Sequence, residues 1–218
     1  MPTPASMPAM NRTNPALLLF LSFSVQSVNA GMIDKEGMAP WEICGMCHGL
    51  DGNSHMAKFP KLSGQKATYI ETQFNAFRHQ QRTNDGGQMQ AITEEVDGAD
   101  IRTIAEYFSR QSAPQPTSDG PVDADLFQQG KALYTQGKSN LPACNTCHNA
   151  LRMDAPWLDA QHAAYIEKQI SDFRSGDRQN DSHKIMQKVA TTLTEQEQKA
   201  VAHYLSRSAF RKTEMENK

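Results

Sequence analysis

The sequence predicts an all-α protein built from two tandem helical domains, and three observations carry that prediction. Residues 60–85 recur as residues 156–181 at a constant offset of 96. Apolar side chains return at helical spacing within each copy, and no alternating strand pattern of useful length interrupts them. Between the copies lies a stretch rich in Pro, Gly and Ser, Gln111 to Pro121, which has the composition of a linker.

The chain opens with Arg12 as the only charge in its first 30 residues, then an apolar run from Ala16 to Val25, then Val28-Asn29-Ala30. A charged start, a short apolar core and a small-residue exit predict a secretory signal peptide over residues 1–30. The run is too short to span a bilayer, which takes about 20 residues. Retention of the segment as an anchor is the other reading. Export to the periplasm follows from either.

Beyond residue 30 there are 21 basic and 24 acidic side chains, a net charge of −3. No clustered basic face exists, which excludes nucleic acid as a partner. Only 7% of residues are aromatic, so neither half can build a deep core alone. Domains well under about 100 residues usually recruit something extra.

The expected organisation is a signal peptide at 1–30, a first domain at 31–113, a linker at 114–121 and a second domain at 122–218. Within the repeat, Pro60 matches Pro156, Gln65 matches Gln161, Tyr69 matches Tyr165, Gln73 matches Gln169 and Arg82 matches Arg178. The offset is 97 from Met89/Met186 to Tyr107/Tyr204 and 100 at the cysteines. The second copy therefore lacks four residues between its cysteine motif and its proline.

Helices are expected where Ile70, Phe74 and Phe77 recur, and again at Ile166, Ile170 and Phe173. A terminal helix in the first copy places Ile101, Ile104, Ala105 and Phe108 on one face. In the second, Thr194-Glu-Gln-Glu197 is a capping-box start leading to Val201, Tyr204 and Leu205. Gly37-x-x-x-Trp41 and Gly130-x-x-x-Tyr134 are read as the first helix of each copy, with the glycine marking a close helix crossing.

The four cysteines fall as Cys44-Gly-Met-Cys47-His48 and Cys144-Asn-Thr-Cys147-His148, with none left over. In this arrangement two thiols add to the haem vinyl groups and the adjacent imidazole meets the iron. Histidine is 7 of 218 residues, so two Cys-x-x-Cys pairs would both be followed by His by accident only about once in a thousand. A four-cysteine zinc site or a pair of redox dithiols would leave both histidines unexplained. The expected cofactors are two covalently bound haem c groups, held by Cys44, Cys47, Cys144 and Cys147, with His48 and His148 as axial ligands.

Eight methionines follow residue 30, and only Met89 and Met186 are matched by the repeat. They lie 41 and 38 residues beyond their histidines, far enough to wrap a haem, and are expected as the sixth ligands. The remaining methionines, among them Met46, Met56 and Met153, read as soft filler or surface residues. An axial histidine also needs its second ring nitrogen held by an acceptor. The backbone carbonyls of Pro60 and Pro156 are the candidates.

On these residues, together with Phe59-Pro-Lys-Leu-Ser-Gly-Gln65 and Ala163-Ala-Tyr165, the chain resembles the class I cytochromes c, and among them the two-domain cytochrome c4 family. The resemblance covers residues 31–218. It implies a periplasmic electron carrier with His/Met ligation in both domains and haem edges near the domain interface. Its implied partners are a quinol-oxidising complex and a haem-copper terminal oxidase, met in transient contact. The loop Asn149-Ala-Leu-Arg-Met-Asp154 departs from the family pattern by being short and lacking glycine. Arg82, Arg178, Tyr69 and Tyr165 are read either as haem-propionate partners or as solvated helix-face residues.

With both irons six-coordinate, no position is open to a substrate, so no catalytic residue and no enzymatic activity are expected. The alternatives are an electron-accepting subunit of a periplasmic dehydrogenase and, further off, a di-haem redox enzyme.

Overall fold

A computed structural model of the chain describes residues 1–3, 33–117, 120–209 and 211. The expected signal peptide, apart from its first three residues, lies outside the described residues, as do residues 118–119 of the linker and Met215. Eight α-helices are described: α1 (Glu42–His48), α2 (Ala67–Arg78), α3 (Gln88–Glu95), α4 (Ile101–Ser109), α5 (Ala124–Thr135), α6 (Ala163–Ser175), α7 (Ile185–Thr192) and α8 (Glu195–Ser206). Among the described residues there is no strand, only an isolated bridge between Lys138 and Leu141. None of the described helices is long and apolar enough to cross a membrane.

Two separate apolar clusters form, one in each half, so the architecture is two tandem helical domains. Ile43, Ile70, Phe74, Ile104 and Phe108 close the first, and Leu133, Ile166, Ile170, Phe173, Val201 and Leu205 close the second. The same helical stripes supply both, α2 and α4 in one, α6 and α8 in the other. At the start of α8 the Thr194 hydroxyl accepts from the Glu197 backbone N–H at 3.2 Å. The Glu197 carboxylate accepts in return from the Thr194 N–H at 2.8 Å. Lys138 closes on the same carboxylate at 2.7 Å.

The N-terminal helices of the two domains differ. In the second, α5 carries Gly130 against α8, where a Cβ would collide with the Ala200 carbonyl and reach within 2.7 Å of the Tyr204 Cβ. In the first, the expected helix through Gly37 does not form. Gly37 sits in a turn at φ +76° with open space around it, and α1 begins only at Glu42. Pro40 accounts for the late start, since it lacks an N–H and turns the residue before it away from helix. The aromatic residues after the glycines still meet α4 and α8. Trp41 stacks on Tyr107 with centroids 4.3 Å apart, and Tyr134 lies 5.7 Å from Tyr204.

Two residues separate Trp41 from Cys44, whereas nine separate Tyr134 from Cys144. The first cysteine motif therefore rides on α1, while the second forms a short 3₁₀ turn, Cys144–Thr146, beyond the end of α5.

Gly130→Ala is expected to destabilise the protein by about 2 kcal/mol, because overpacking against a rigid carbonyl outweighs the roughly 1 kcal/mol gained in helix propensity. Denaturant unfolding of the holoprotein reads this directly. An unchanged or raised midpoint would show that α5 and α8 are not held at this crossing.

Candidate functional site

Each cysteine motif delivers a buried imidazole. His48 is 5% and His148 8% exposed. His48 Nδ1 lies 2.8 Å from the Pro60 carbonyl oxygen and His148 Nδ1 lies 2.9 Å from that of Pro156. A neutral imidazole bonded in this way donates from Nδ1 and keeps Nε2 for a metal. Burial lowers both histidines from their ordinary pKa, His148 to about 4, against the opposing pull of the proline carbonyls. The neutral, ligating form is thus the one the fold favours. None of the four cysteines is in a disulfide, and burial pushes the Cys44 thiol up to about 12 and the Cys144 thiol up to about 11.

The two repeat-matched methionines occupy equivalent places, the second residue of α3 and of α7. Both are half-buried, whereas Met46, Met56 and Met153 are exposed. An aspartate fixes each: the Met89 backbone N–H donates to Asp85, and the Met186 N–H to Asp181 at 2.8 Å. Two left-handed residues precede each of these helices. In the first domain they are Gly86 and Gly87, and in the second His183 and Lys184 at φ +55° and +56°. Non-glycine residues pay roughly 1–2 kcal/mol each for that conformation, so the second methionine turn is strained and the first is not. His79 and His183 are exposed.

Between the domains, α2 and α6 face one another through a nearly two-fold polar lattice. Arg82 donates to Gln73 at 2.8 Å, to Gln169 at 2.8 Å and to the Tyr165 hydroxyl at 3.1 Å. Arg178 mirrors it, donating to Gln169 at 2.7 Å, to Gln73 at 2.9 Å and to the Tyr69 hydroxyl at 3.2 Å. Each guanidinium also stacks 4.5 Å over a phenylalanine, Phe77 or Phe173. With Arg82 and Arg178 at 5% and 6% exposure, the solvated helix-face reading fails for both. Burial works to raise the Tyr165 hydroxyl, but the two guanidiniums outweigh it and hold it below its usual range.

Sequence reasoning missed three interface features. Lys66 inserts into the short loop of the second domain, donating to the carbonyls of Asn149 at 2.6 Å, Arg152 at 2.6 Å and Ala155 at 2.8 Å. Its counterpart His162 reaches the first domain's loop, with Nε2 3.0 Å from the Ser54 carbonyl oxygen. Arg211 is buried, pairs with Asp159 at 2.8 Å and donates to the Ser63 carbonyl at 3.0 Å. Only Lys66 and His162 lay inside the repeat, and their different residue types hid the shared role.

The donor set fits haem. It offers two pairs of thiols, two imidazoles with Nε2 available and two half-buried thioethers on capped helices. The lattice fits as well. The direct hydrogen-bond partners of Arg82 and Arg178 are all neutral, so two buried positive charges lie close together, an arrangement that carboxylates such as propionates would stabilise.

Residues 127–209 match the family model for cytochrome c. Over 204 residues the chain is 37% identical to cytochrome c4 of Pseudomonas aeruginosa, covering 90% of this chain and 98% of that protein. It is 30% identical to a thiosulfate dehydrogenase electron acceptor of Stutzerimonas stutzeri, covering 89% and 93%. The crystal structure of reduced cytochrome c4 from Pseudomonas stutzeri superposes with a TM-score of 0.67 at 34% identity, covering 77% of this chain and 94% of that one.

Arg82→Ala should cost about 3 kcal/mol of stability, because it strands buried partners on both α2 and α6. Arg178→Ala should cost a similar amount, and the double variant less than the sum, since both arginines share Gln73 and Gln169. Denaturation midpoints of the three holoproteins measure this. Full additivity would mean that the two halves of the lattice are independent.

Proposed function

The chain belongs to the cytochrome c4 family, and from that premise we propose that it is a periplasmic electron carrier working between membrane-bound redox complexes. It is a di-haem c-type cytochrome and its work is electron transfer. Bound haem supplies a one-electron ferric/ferrous couple, and everything else is done by the chain. Cys44 and Cys47 hold the first group and Cys144 and Cys147 the second. His48 with Met89, and His148 with Met186, provide the axial pairs. The equivalent, aspartate-capped positions of Met89 and Met186 support that assignment, as does their being the only methionines matched by the repeat.

Thioether ligation raises the potential and closes the sixth position, so the reading assigns no substrate chemistry to either iron. Arg82 and Arg178, with Tyr69 and Tyr165, receive the propionates, and their all-neutral hydrogen-bond partners are the observation that supports this. Haems held there would lie near the domain interface, and the chain's part is to hold the two sites in one fixed arrangement across it. Its donors and acceptors are a quinol-oxidising complex and a haem-copper terminal oxidase.

A second reading is favoured by two relatives described as thiosulfate dehydrogenase electron acceptors: service as the electron-accepting partner of a periplasmic dehydrogenase. Co-purification from the source cell separates the two. A stable complex with a dehydrogenase would select the second.

Each holoprotein chain should exceed the mass of its polypeptide by two haems, and a redox titration should resolve two one-electron steps. Met89→His should lower one step and Met186→His the other, because imidazole favours the ferric state more than a thioether does. A titration unmoved by either substitution would remove that methionine from the ligand set. The reduced protein should bind carbon monoxide poorly, and stoichiometric binding at one haem with turnover of peroxide or thiosulfate would overturn the carrier reading.

A further inference from the structure

Besides the arginine lattice, the two domains exchange a pair of glutamines, and each grips the backbone immediately beside the other domain's axial histidine. Gln161 Oε1 accepts the Lys61 N–H at 3.0 Å, and its Nε2 donates to the Lys61 carbonyl at 3.0 Å. Gln65 does the same in the other direction, accepting the Trp157 N–H at 2.9 Å and donating to the Trp157 carbonyl at 3.0 Å. Both side chains are buried, at 5% for Gln65 and 8% for Gln161. Both rotamers are pinned, because each Oε1 also accepts the N–H of the next residue, Lys66 at 3.0 Å and His162 at 3.1 Å.

The placement has an electronic meaning. The Lys61 N–H and the Pro60 carbonyl are the two ends of one peptide group. The carbonyl end takes the proton of His48 Nδ1 at 2.8 Å, and the amide end gives its own to Gln161. Hydrogen bonds in such a chain polarise one another, so an acceptor at the N–H end makes the carbonyl oxygen a stronger acceptor at the other end. A stronger acceptor at Nδ1 gives the imidazole more anionic character and makes it a better donor to ferric iron. The identical relay runs from Gln65 through the Pro156–Trp157 peptide to His148.

We propose that Gln161 and Gln65 are crossed positioning residues, each holding down the reduction potential of the haem in the opposite domain through one polarised proline peptide. The proposal rests on the di-haem reading with His48 and His148 as axial ligands. It makes the domain interface part of each iron's electronic environment.

The test is a redox titration of the full-length holoprotein, with each haem followed separately by its paramagnetically shifted proton resonances. Haem content is measured on the same samples. Gln161→Met, uncharged and of similar size, removes both hydrogen bonds to Lys61, and the local one from the His162 N–H, and should raise the potential of the first-domain haem while leaving the second unmoved. Gln161→Glu, titrated at a pH where its carboxyl is ionised, places a stronger acceptor at the Lys61 N–H and should shift the same haem downward. Gln65→Met and Gln65→Glu should repeat the pattern on the second-domain haem. Opposite signs for Met and Glu, read in the opposite domain, are what a loosened interface alone would not give. A wild-type chain lacking two haems would overturn the reading beneath the proposal. A two-haem chain in which the Met and Glu variants leave the opposite haem unmoved, or shift it in one common direction, would overturn the relay while leaving the carrier reading intact.

Discussion

The structure depends on the burial of two guanidiniums between domains too small to stand comfortably apart. Arg82 and Arg178 occupy the middle of the α2–α6 contact, and the surrounding amides and hydroxyls are spent on satisfying them. Burying charge is costly unless every donor finds a partner, so the lattice tolerates little change in how α2 and α6 sit together. That fixed arrangement is what lets Gln65 and Gln161 reach the opposite proline peptides, and lets Lys66 and His162 reach the opposite loops. Fewer side chains would be placed if the interface were apolar, because apolar contacts slide where amide pairs do not.

Much of this was legible in the sequence, because the repeat compared the chain with itself. A spacing found once might be accident; the same spacing found twice picked out Met89 and Met186 from the eight methionines, and Pro60 and Pro156 from the seven prolines, beyond residue 30. The cores followed from periodicity, since Ile70, Phe74 and Phe77 can share a face only on a helix.

What escaped was long-range or asymmetric. Gln65, Lys66, Gln161 and His162 make contacts 83 to 108 residues away in sequence, and no local pattern announces a partner at that distance. The early helix of the first domain was misplaced because Gly37 was matched to Gly130 without weighing Pro40, whose ring blocks the register that the match required. Where the copies differ in residue type, as at Lys66 and His162, the repeat fell silent even though the backbone roles agree. The short loop at 149–155 shows the same thing from the other side. The residues it lacks are replaced by an ammonium from the neighbouring domain, whose three hydrogen bonds to carbonyls hold the loop.

Arg211 joins Asp159 of the second domain to Ser63 of the first. The chain is made from its amino end, so both of those partners are synthesised 52 and 148 residues before the arginine that ties them. The first domain can close around its own core while the second is still emerging, and the tie is added after both. Assembly thereby acquires a direction in time: the arginine lattice and the glutamine pairs can form first, and the bond from Arg211 to Ser63 is the last of the cross-domain contacts to be made.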